Sequence, residues 1–192
     1  MPKSKYKIGL IAEDPSDIES LKELIHRILN YPNISIIGMG KNGCATLRRK
    51  CLAWADILFE KGCTLLIVVH DSDGNSEQEI LEELNKKISQ SSIKKKQIVV
   101  PVQEIESWLL KDPQAIMSSL KLSKIPKIKS DTQTIQSPKE YLEKLVITSS
   151  NGEKEYINSR HNQVIAKHVS IDLLKQCSSF MPLYNFLVTN IK

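Results

Sequence analysis

The sequence predicts an α/β protein built on a parallel sheet of about four strands flanked by helices, with a C-terminal helical extension. Two observations carry this prediction. Short apolar segments alternate with segments of helical periodicity through the first part of the chain, which is typical of strand–helix–strand units. One of these segments, Leu65–Val69, contains no polar residue, as expected of a strand that is buried on both faces of a parallel sheet.

Each element of the sheet region has its own local signal. The first strand is expected at residues 6–12, and Ser16 is expected to cap the following helix because Glu19 lies three residues later. Ser76 and Glu79 repeat that pattern before a third helix. Right-handed crossovers between parallel strands are expected throughout. By the same rules the other strands are predicted at residues 34–37, 65–69 and 96–102, and the helices at 45–59, 76–89 and 104–112.

No convincing strand follows residue 112. Helices are predicted at residues 113–120, 138–145, 162–177 and 180–188, with loops at 121–136 and 148–154. The chain is therefore divided into an α/β core, residues 1–112, and a helical extension packed on it, residues 113–192.

The composition is that of a globular protein, with 41% hydrophobic and 26% charged residues among 192. No apolar run approaches the roughly 20 residues of a membrane span, so we expect a cytoplasmic protein without a membrane partner. The four cysteines lack zinc-site spacing. Cys44 and Cys51 are seven residues apart on a predicted helix face, which favours packing over metal ligation.

Basic residues are unevenly distributed within a net charge of +5. Eight lysines lie between residues 94 and 129, and Lys41 and Arg48 flank the start of a helix after a glycine-containing turn. Such a surface suits an enzyme that acts on a phosphate polymer, although a solvated lysine face is the alternative. The turn at residues 38–43 is either a generic connection or a phosphate site made by backbone amides and Lys41.

Acidic residues follow three of the four predicted strands. Because the carboxyl ends of parallel strands meet at one edge, we expect these carboxylates to converge there. Mg²⁺, or Mn²⁺ in its place, prefers such oxygen ligands, whereas zinc is disfavoured because His70 is the only histidine clearly near. A carboxylate outside the metal shell could transfer protons. The acidic residues are Glu13, Asp14 and Asp17 after the first strand, Asp71 and Asp73 after the third, and Glu104 and Glu106 after the fourth.

These motifs carry a family resemblance. The segment I-A-E-D-P-S-D after the first strand, followed by D-S-D-G after the third, resembles the Toprim domain of topoisomerases, primases and OLD-type nucleases. More narrowly, V-P-V-Q-E-I-E-S-W-L-L-K-D-P and the tail C-S-S-F-M-P-L-Y-N-F-L resemble a small bacterial Toprim-like family, DUF4276. The resemblance covers most of the chain and implies a Toprim-like, Rossmannoid fold.

The resemblance also implies a site. Glu13, Asp71 and Asp73 correspond to metal ligands or general acid–base groups, and Glu106 to a further acid of the site. Many Toprim proteins have glycine where this chain has Asp14. Either the Asp14 side chain points away from the site, or the site holds more cation to balance the added charge.

Several other residues have less specific expectations. Lys41, Arg48 and Lys139 are candidates to bind substrate phosphate. Trp108 is expected to anchor the core, with base stacking as its alternative, and His70 is expected to be packed and hydrogen-bonded. Three more residues of the extension could face substrate: Lys144, His161 and His168.

The leading functional hypothesis is a Mg²⁺-dependent nuclease that hydrolyses DNA or RNA. The resemblance further implies an effector of a phage-defence or toxin-like system with an ABC-type ATPase partner. The alternatives are a non-catalytic or partner-dependent metal- or nucleic-acid-binding subunit, and a receiver-like signalling domain. A receiver would have strand order 2-1-3-4-5 and a lysine after its fifth strand, and a Toprim sheet is expected to differ. The choice between DNA and RNA and the oligomeric state stay open.

Overall fold

The computed structural model describes residues 6–30, 34–129 and 131–191. Within them, four strands form one sheet in which all neighbouring strands are parallel. None of the described helices has the length and apolar character needed to cross a membrane. The elements are β1 (Lys7–Ile11), α1 (Pro15–Leu29), β2 (Ser35–Met39), α2 (Gly43–Glu60), β3 (Leu65–Val69), α3 (Glu77–Ile88), β4 (Lys95–Val99), α4 (Glu106–Leu109), α5 (Pro113–Leu120), α6 (Pro138–Ser149), α7 (Asn158–Ala166), α8 (Ile171–Leu174) and α9 (Met181–Asn190).

Strand β3 lies inside the sheet, and all five of its residues are buried. Its register aligns the carboxyl ends of three strands, because Ile11 of β1 pairs with Val68 and Val69 pairs with Val99 of β4. The segments that follow β1, β3 and β4 therefore leave the sheet at the same edge. This is the edge where the sequence predicts the acidic site.

Alternate strand residues face two separate cores, as the two-residue period of a strand requires. Ile8 and Ile67 face a core shared with α1 and the C-terminal helices. Leu66 and Val68 face the other core, which α2 and α3 cover. Each such aliphatic side chain stabilises the fold by about 1.5 to 3 kcal/mol when fully buried. The predicted parallel α/β sheet flanked by helices is confirmed.

The C-terminal helices share the first of these cores. Trp108 and Phe180 are both fully buried in it, and their rings meet edge to face with centroids 5.2 Å apart. Trp108 Nε1 also donates to Ser179 Oγ at 2.9 Å. The expectation that Trp108 anchors the core is confirmed. The division at residue 112 stays a prediction, since this core continues across it.

The N-cap predicted for the first helix is wrong. Helix α1 begins at Pro15, and its N-cap is Asp14 rather than Ser16. Asp17 Oδ2 accepts a hydrogen bond from the Asp14 amide at 3.1 Å. Proline favours the first helical position because its fixed φ suits the helix and its missing N–H would be unbonded there. The cap predicted at Ser76 is confirmed, since its side chain accepts from the Glu79 amide.

Three further boundaries differ from prediction. The single helix expected at residues 162–177 is two helices, α7 and α8, because Ser170 accepts from the Leu173 amide and caps a new helix. Strand β4 ends at Val99 rather than at residue 102, and Pro101 beyond it lacks the N–H that a ladder requires. Helix α4 begins at Glu106 rather than at residue 104.

The strand order is β2-β1-β3-β4. This is also the order of the first four strands of a receiver domain, so the expectation that sheet order would separate a receiver from this fold is wrong. A fifth strand is absent from the described residues. The lysine that a receiver needs after that strand therefore has no counterpart in the described part of the chain.

Candidate metal centre

Hydrogen bonds join the loops after β1, β3 and β4 at the carboxyl edge of the sheet. The Asp71 amide donates to Glu13 Oε1 at 3.0 Å. The Asp73 amide donates to the Gln103 carbonyl at 3.1 Å, and the Gln103 amide donates to Ser72 Oγ at 2.7 Å. These bonds fix the Asp-Ser-Asp segment relative to Glu13 and to the loop after β4.

The loop after β2 packs closely against the Glu13 loop. The Ala12 amide donates to the Met39 carbonyl at 3.1 Å, and the Gly43 amide donates to the Glu13 carbonyl at 3.2 Å. A Cβ on Gly40 would lie 2.5 Å from the Ala12 carbonyl oxygen, so only glycine permits this approach. The approach brings the start of α2 beside the acidic residues.

One group of possible metal ligands emerges from this packing. Ligand atoms of Glu13, Asp73 and Cys44 all lie within 4.8 Å of one another. Asp73 adopts a left-handed φ of 46°, which aspartate tolerates better than most residues. Asp73 is exposed and the other two are partly buried, so the group lies at the mouth of the site. Two carboxylates and a thiol can bind a divalent cation.

A second group of acids lies further inside. Asp71 Oδ1 is shielded from solvent and has no hydrogen-bond partner within the described residues. Burial, together with the charges of Asp17 and Glu13, raises the pKa of Asp71 well above its ordinary value. Burial and the charge of Glu106 raise the pKa of Asp17 to about 7. These carboxyls share one field of negative charge, which favours either bound protons or a bound cation.

Glu13 connects the two groups. Burial, and then the charges of Asp73 and Asp14, raise its pKa to about 7, although the hydrogen bond from the Asp71 amide opposes the rise. Asp14 itself is exposed at the N-cap of α1. A carboxyl with a pKa near neutrality can accept or release a proton at working pH.

Glu106 is held by side chains from the extension. It is 4% exposed, and its Oε1 accepts from the Asn162 amide group at 2.9 Å and from the Tyr156 hydroxyl at 3.2 Å. Tyr156 and Asn162 also contact each other through the hydroxyl and Oδ1. Burial and the charge of Glu106 raise the pKa of Tyr156, so its hydroxyl stays protonated and able to donate. The extension therefore orients an acid of the site.

His70 and Arg48 lie beside Glu13, and His70 Nδ1 is 3.5 Å from Glu13 Oε1. His70 Nδ1 lies 2.6 Å from the Asp71 carbonyl oxygen, and Arg48 Nε donates to His70 Nε2 at 2.9 Å. Nδ1 is therefore the protonated nitrogen, and burial lowers the pKa of His70. Arg48 also lies 3.4 Å from Glu83. His70 is packed and hydrogen-bonded as expected, while Arg48 is already engaged with protein groups.

The other two basic candidates have different surroundings. Lys41 is exposed on a groove of about 380 Å³ that Gly40, Lys50 and Trp54 also line. Lys139 contacts the acidic edge through its backbone, because its amide donates to Glu104 Oε2 at 2.9 Å. Their roles toward phosphate stay predictions.

Glu13, Asp71, Asp73 and Glu106 thus lie at one edge of the sheet, but only Glu13 and Asp73 belong to the close group of ligand atoms. Sequence reasoning missed Cys44, which it ascribed to packing, and the two side chains that hold Glu106. Cys44 directly follows the Gly43 turn, which could have pointed to the edge. Tyr156 and Asn162 follow a loop far along the chain, and no sequence signal marks them.

The fold and the site together define a parallel α/β protein with a candidate cation site at the carboxyl edge of its sheet. The chain belongs to the family described as Domain of unknown function (DUF4276), whose model matches residues 12–188. No curated protein and no solved structure matches the chain.

Proposed function

We propose that this protein is a divalent-metal-dependent nuclease of the Toprim class, which hydrolyses phosphodiester bonds in DNA or RNA. The observation that carries the proposal is the convergence of ligand atoms of Glu13 and Asp73 within 4.8 Å of each other. Beside them, Asp71 Oδ1 has no hydrogen-bond partner among the described residues. Carboxylates that share a desolvated edge repel one another unless a cation or protons neutralise them. A cation held by Glu13 and Asp73 would account for their convergence and would reduce the repulsion that their charges exert on Asp71.

The donor atoms fit a hard or borderline divalent ion. Carboxylate oxygens of Glu13 and Asp73 suit Mg²⁺ or Mn²⁺, and the nearby thiol of Cys44 would add affinity for softer ions. Such an ion, when bound, would polarise the scissile phosphate and stabilise the leaving oxygen. Glu106 is fixed in place beside these acids by the side chains of Tyr156 and Asn162.

The protein's own groups supply the remaining chemistry. Glu13 has a pKa raised to about 7 in the metal-free protein, and a cation bound beside it would favour its charged, ligating form. A carboxyl outside the metal shell would then take the proton from an attacking water. The hydrogen bond from Arg48 to His70 fixes the imidazole ring beside Glu13 and keeps the positive charge of Arg48 near the site. Lys41 and Lys139 are candidates for binding the substrate's flanking phosphates.

Cleavage of labelled DNA and RNA in Mg²⁺ or Mn²⁺ tests the proposal. We expect cleavage by the wild-type protein, its loss in EDTA, and its loss in the double variant Asp71→Ala/Asp73→Ala. The matched control is Asp56→Ala/Asp172→Ala, which removes two exposed aspartates elsewhere and should cut normally. Equal activity in the site and control variants, or no cleavage by the wild-type protein, would contradict the proposal.

The resemblance of the sequence motifs to Toprim proteins also suggests a biological context. We propose an effector of a phage-defence or toxin-like system that acts with an ABC-type ATPase. The alternative is a non-catalytic or partner-dependent subunit that binds metal or nucleic acid. Metal binding without cleavage, either alone or with such an ATPase, would favour that alternative.

A receiver-like role has a separate test, which the shared strand order makes necessary. Incubation with acetyl phosphate and intact-mass measurement would detect an aspartyl phosphate. We expect none, because the described residues contain no fifth strand followed by the lysine that a receiver requires. A phosphorylated Asp71 would overturn the nuclease proposal in favour of signalling.

A further inference from the structure

A second concave surface lies outside the acidic site, between the lysine-rich segment after α5 and one face of α6. It has a volume of about 550 Å³. Ile125, Pro126 and Leu145 give it an apolar lining, to which Tyr141 adds an aromatic ring. We call this surface the α6 groove. The charged residues that line it are Lys124, Lys127 and Lys144.

The charge of the α6 groove is of one sign. Its three lysines are exposed, and within the described part of the chain none of them forms an ion pair. Among the residues that the structure describes, no carboxylate lines the groove. Ile125 is 54% exposed among these lysines. Unpaired cations around an apolar lining favour a ligand that combines negative charge with flat apolar groups.

Tyr141 is held in the groove rather than free on the surface. It is half-buried, and its hydroxyl accepts from the Lys129 amide at 3.4 Å, so the ring is tied at its polar end. Lys144 and Leu145 lie three and four residues further along α6 and therefore share the face of Tyr141. An aromatic ring with a lysine one helical turn away suits a base followed by a phosphate.

Helix α6, which lines the groove, also contacts the acidic edge through its first turn. The Lys139 amide, in the first turn of α6, donates to Glu104 beside the candidate metal centre. Tyr141 follows two residues later, a rise of about 3 Å along the helix axis. Residues two apart do not share a helix face, so α6 places the groove near the acidic edge but on a different side of the helix from Lys139.

We propose that the α6 groove binds single-stranded nucleic acid, with phosphates on its lysines and an unpaired base stacked on Tyr141. This inference rests on the proposed function, because it takes nucleic acid as the substrate and adds that the substrate is single-stranded. Stacking on a side chain requires a base face that a duplex hides. An acidic peptide would engage the lysines but would leave the aromatic ring unused.

The experiment measures binding alone. Fluorescence anisotropy in EDTA uses labelled single-stranded DNA and RNA of about 16 nucleotides, the upper end of known site sizes, with a duplex for comparison. The test variant is Lys124→Gln/Lys127→Gln/Lys144→Gln. The control is Lys61→Gln/Lys86→Gln/Lys154→Gln, which removes the same charge from exposed positions outside the groove. Each phosphate contact contributes about 0.7 to the slope with which log affinity falls against log salt concentration. The groove variant lacks three lysines, so its slope should be shallower by about 2, whereas the slope of the control should hardly change.

The aromatic ring has its own pair of variants. Tyr141→Leu should weaken single-strand binding by about 5- to 150-fold, the measured range for one stacked base. Tyr141→Phe should bind as the wild-type protein does, because the ring remains. Thermal melting of both variants shows whether a loss reflects unfolding, and a Tyr141→Leu variant that melts normally but binds fully would overturn the inference.

The outcomes separate this inference from the proposed function. Single-strand binding that depends on the groove, without any cleavage in Mn²⁺, would support the groove and contradict the nuclease. Cleavage together with groove variants that bind like the control would support the nuclease and overturn the groove. Tighter binding of the duplex than of the single strand would also overturn the groove inference. So would polyglutamate that displaces the labelled single strand as effectively as unlabelled single strands do.

Discussion

Asp17 should destabilise the metal-free protein at alkaline pH. Its pKa is raised from 3.8 to about 7 by burial and by the charge of Glu106. A carboxyl whose pKa rises on folding keeps its proton in the folded state after the unfolded state has lost it. The unfavourable contribution of Asp17 to the free energy of folding is therefore absent well below pH 3.8, grows as pH rises, and is complete above about pH 7.

The size of the effect follows from the shift. At about 1.36 kcal/mol per pKa unit, Asp17 contributes about 2 kcal/mol against folding at pH 5 and about 4 kcal/mol at pH 8. Neighbouring carboxyls titrate together with Asp17, so we expect about 1.5 to 3 kcal/mol of difference between the two pH values. Asp17→Asn removes the ionisable group and keeps an oxygen to accept from the Asp14 amide.

The assay is urea unfolding in EDTA of the wild-type protein and of Asp17→Asn, at pH 5 and at pH 8. We expect the variant to be more stable at pH 8, with a smaller gain at pH 5. Taking the difference between proteins cancels the opposing contribution of His70, whose lowered pKa costs stability at acid pH. Asp56→Asn is the exposed control and should show no such difference. A gain for Asp17→Asn that is equal at both pH values would refute the reasoning.

Three further predictions concern single contacts. Asn162→Leu removes one of two donors from buried Glu106 and should lower the free energy of unfolding by about 1 to 3 kcal/mol in urea, whereas the same change at exposed Asn85 should have little effect. Gly40→Ala places a Cβ against the Ala12 carbonyl and should cost about 1 to 3 kcal/mol by thermal melting; an unchanged melting temperature would show that the loops can separate freely. Cys44→Ser should lower the affinity for Cd²⁺ more than that for Mg²⁺ in calorimetric titration, because Cd²⁺ prefers thiolate, and an equal effect on both ions would exclude Cys44 as a ligand.

The fold was largely readable from the sequence because its signals are local. The apolar run at β3 and the alternation of strand and helix patterns identify a parallel sheet without knowledge of distant contacts. Strand order carries no such local signal, so the order shared with receivers was not anticipated. The position of the first N-cap was misjudged because Pro15 and Ser16 offer competing helix starts.

The site was readable only in part for the same reason. Carboxylates that directly follow strands reach the sheet edge by topology alone, which is why Glu13 and Asp71 could be placed there. Tyr156 and Asn162 reach Glu106 only because α7 packs against α1 and α4, and no local pattern encodes that packing. The Cys44 thiol lies near Glu13 and Asp73 because Gly40 allows the loop after β2 to approach the Glu13 loop closely, and the sequence gives no local sign of that approach.

Binding of Mn²⁺ to the purified protein tests the central claim most directly, since it asks whether the acidic edge holds a divalent cation at all. Isothermal titration of the wild-type protein should show binding in the micromolar to millimolar range, competed by Mg²⁺. Glu13→Gln/Asp73→Asn should abolish the binding, while Asp56→Asn/Asp172→Asn should leave it intact. Absence of binding to the wild-type protein, or equal binding to the site and control variants, would contradict the account.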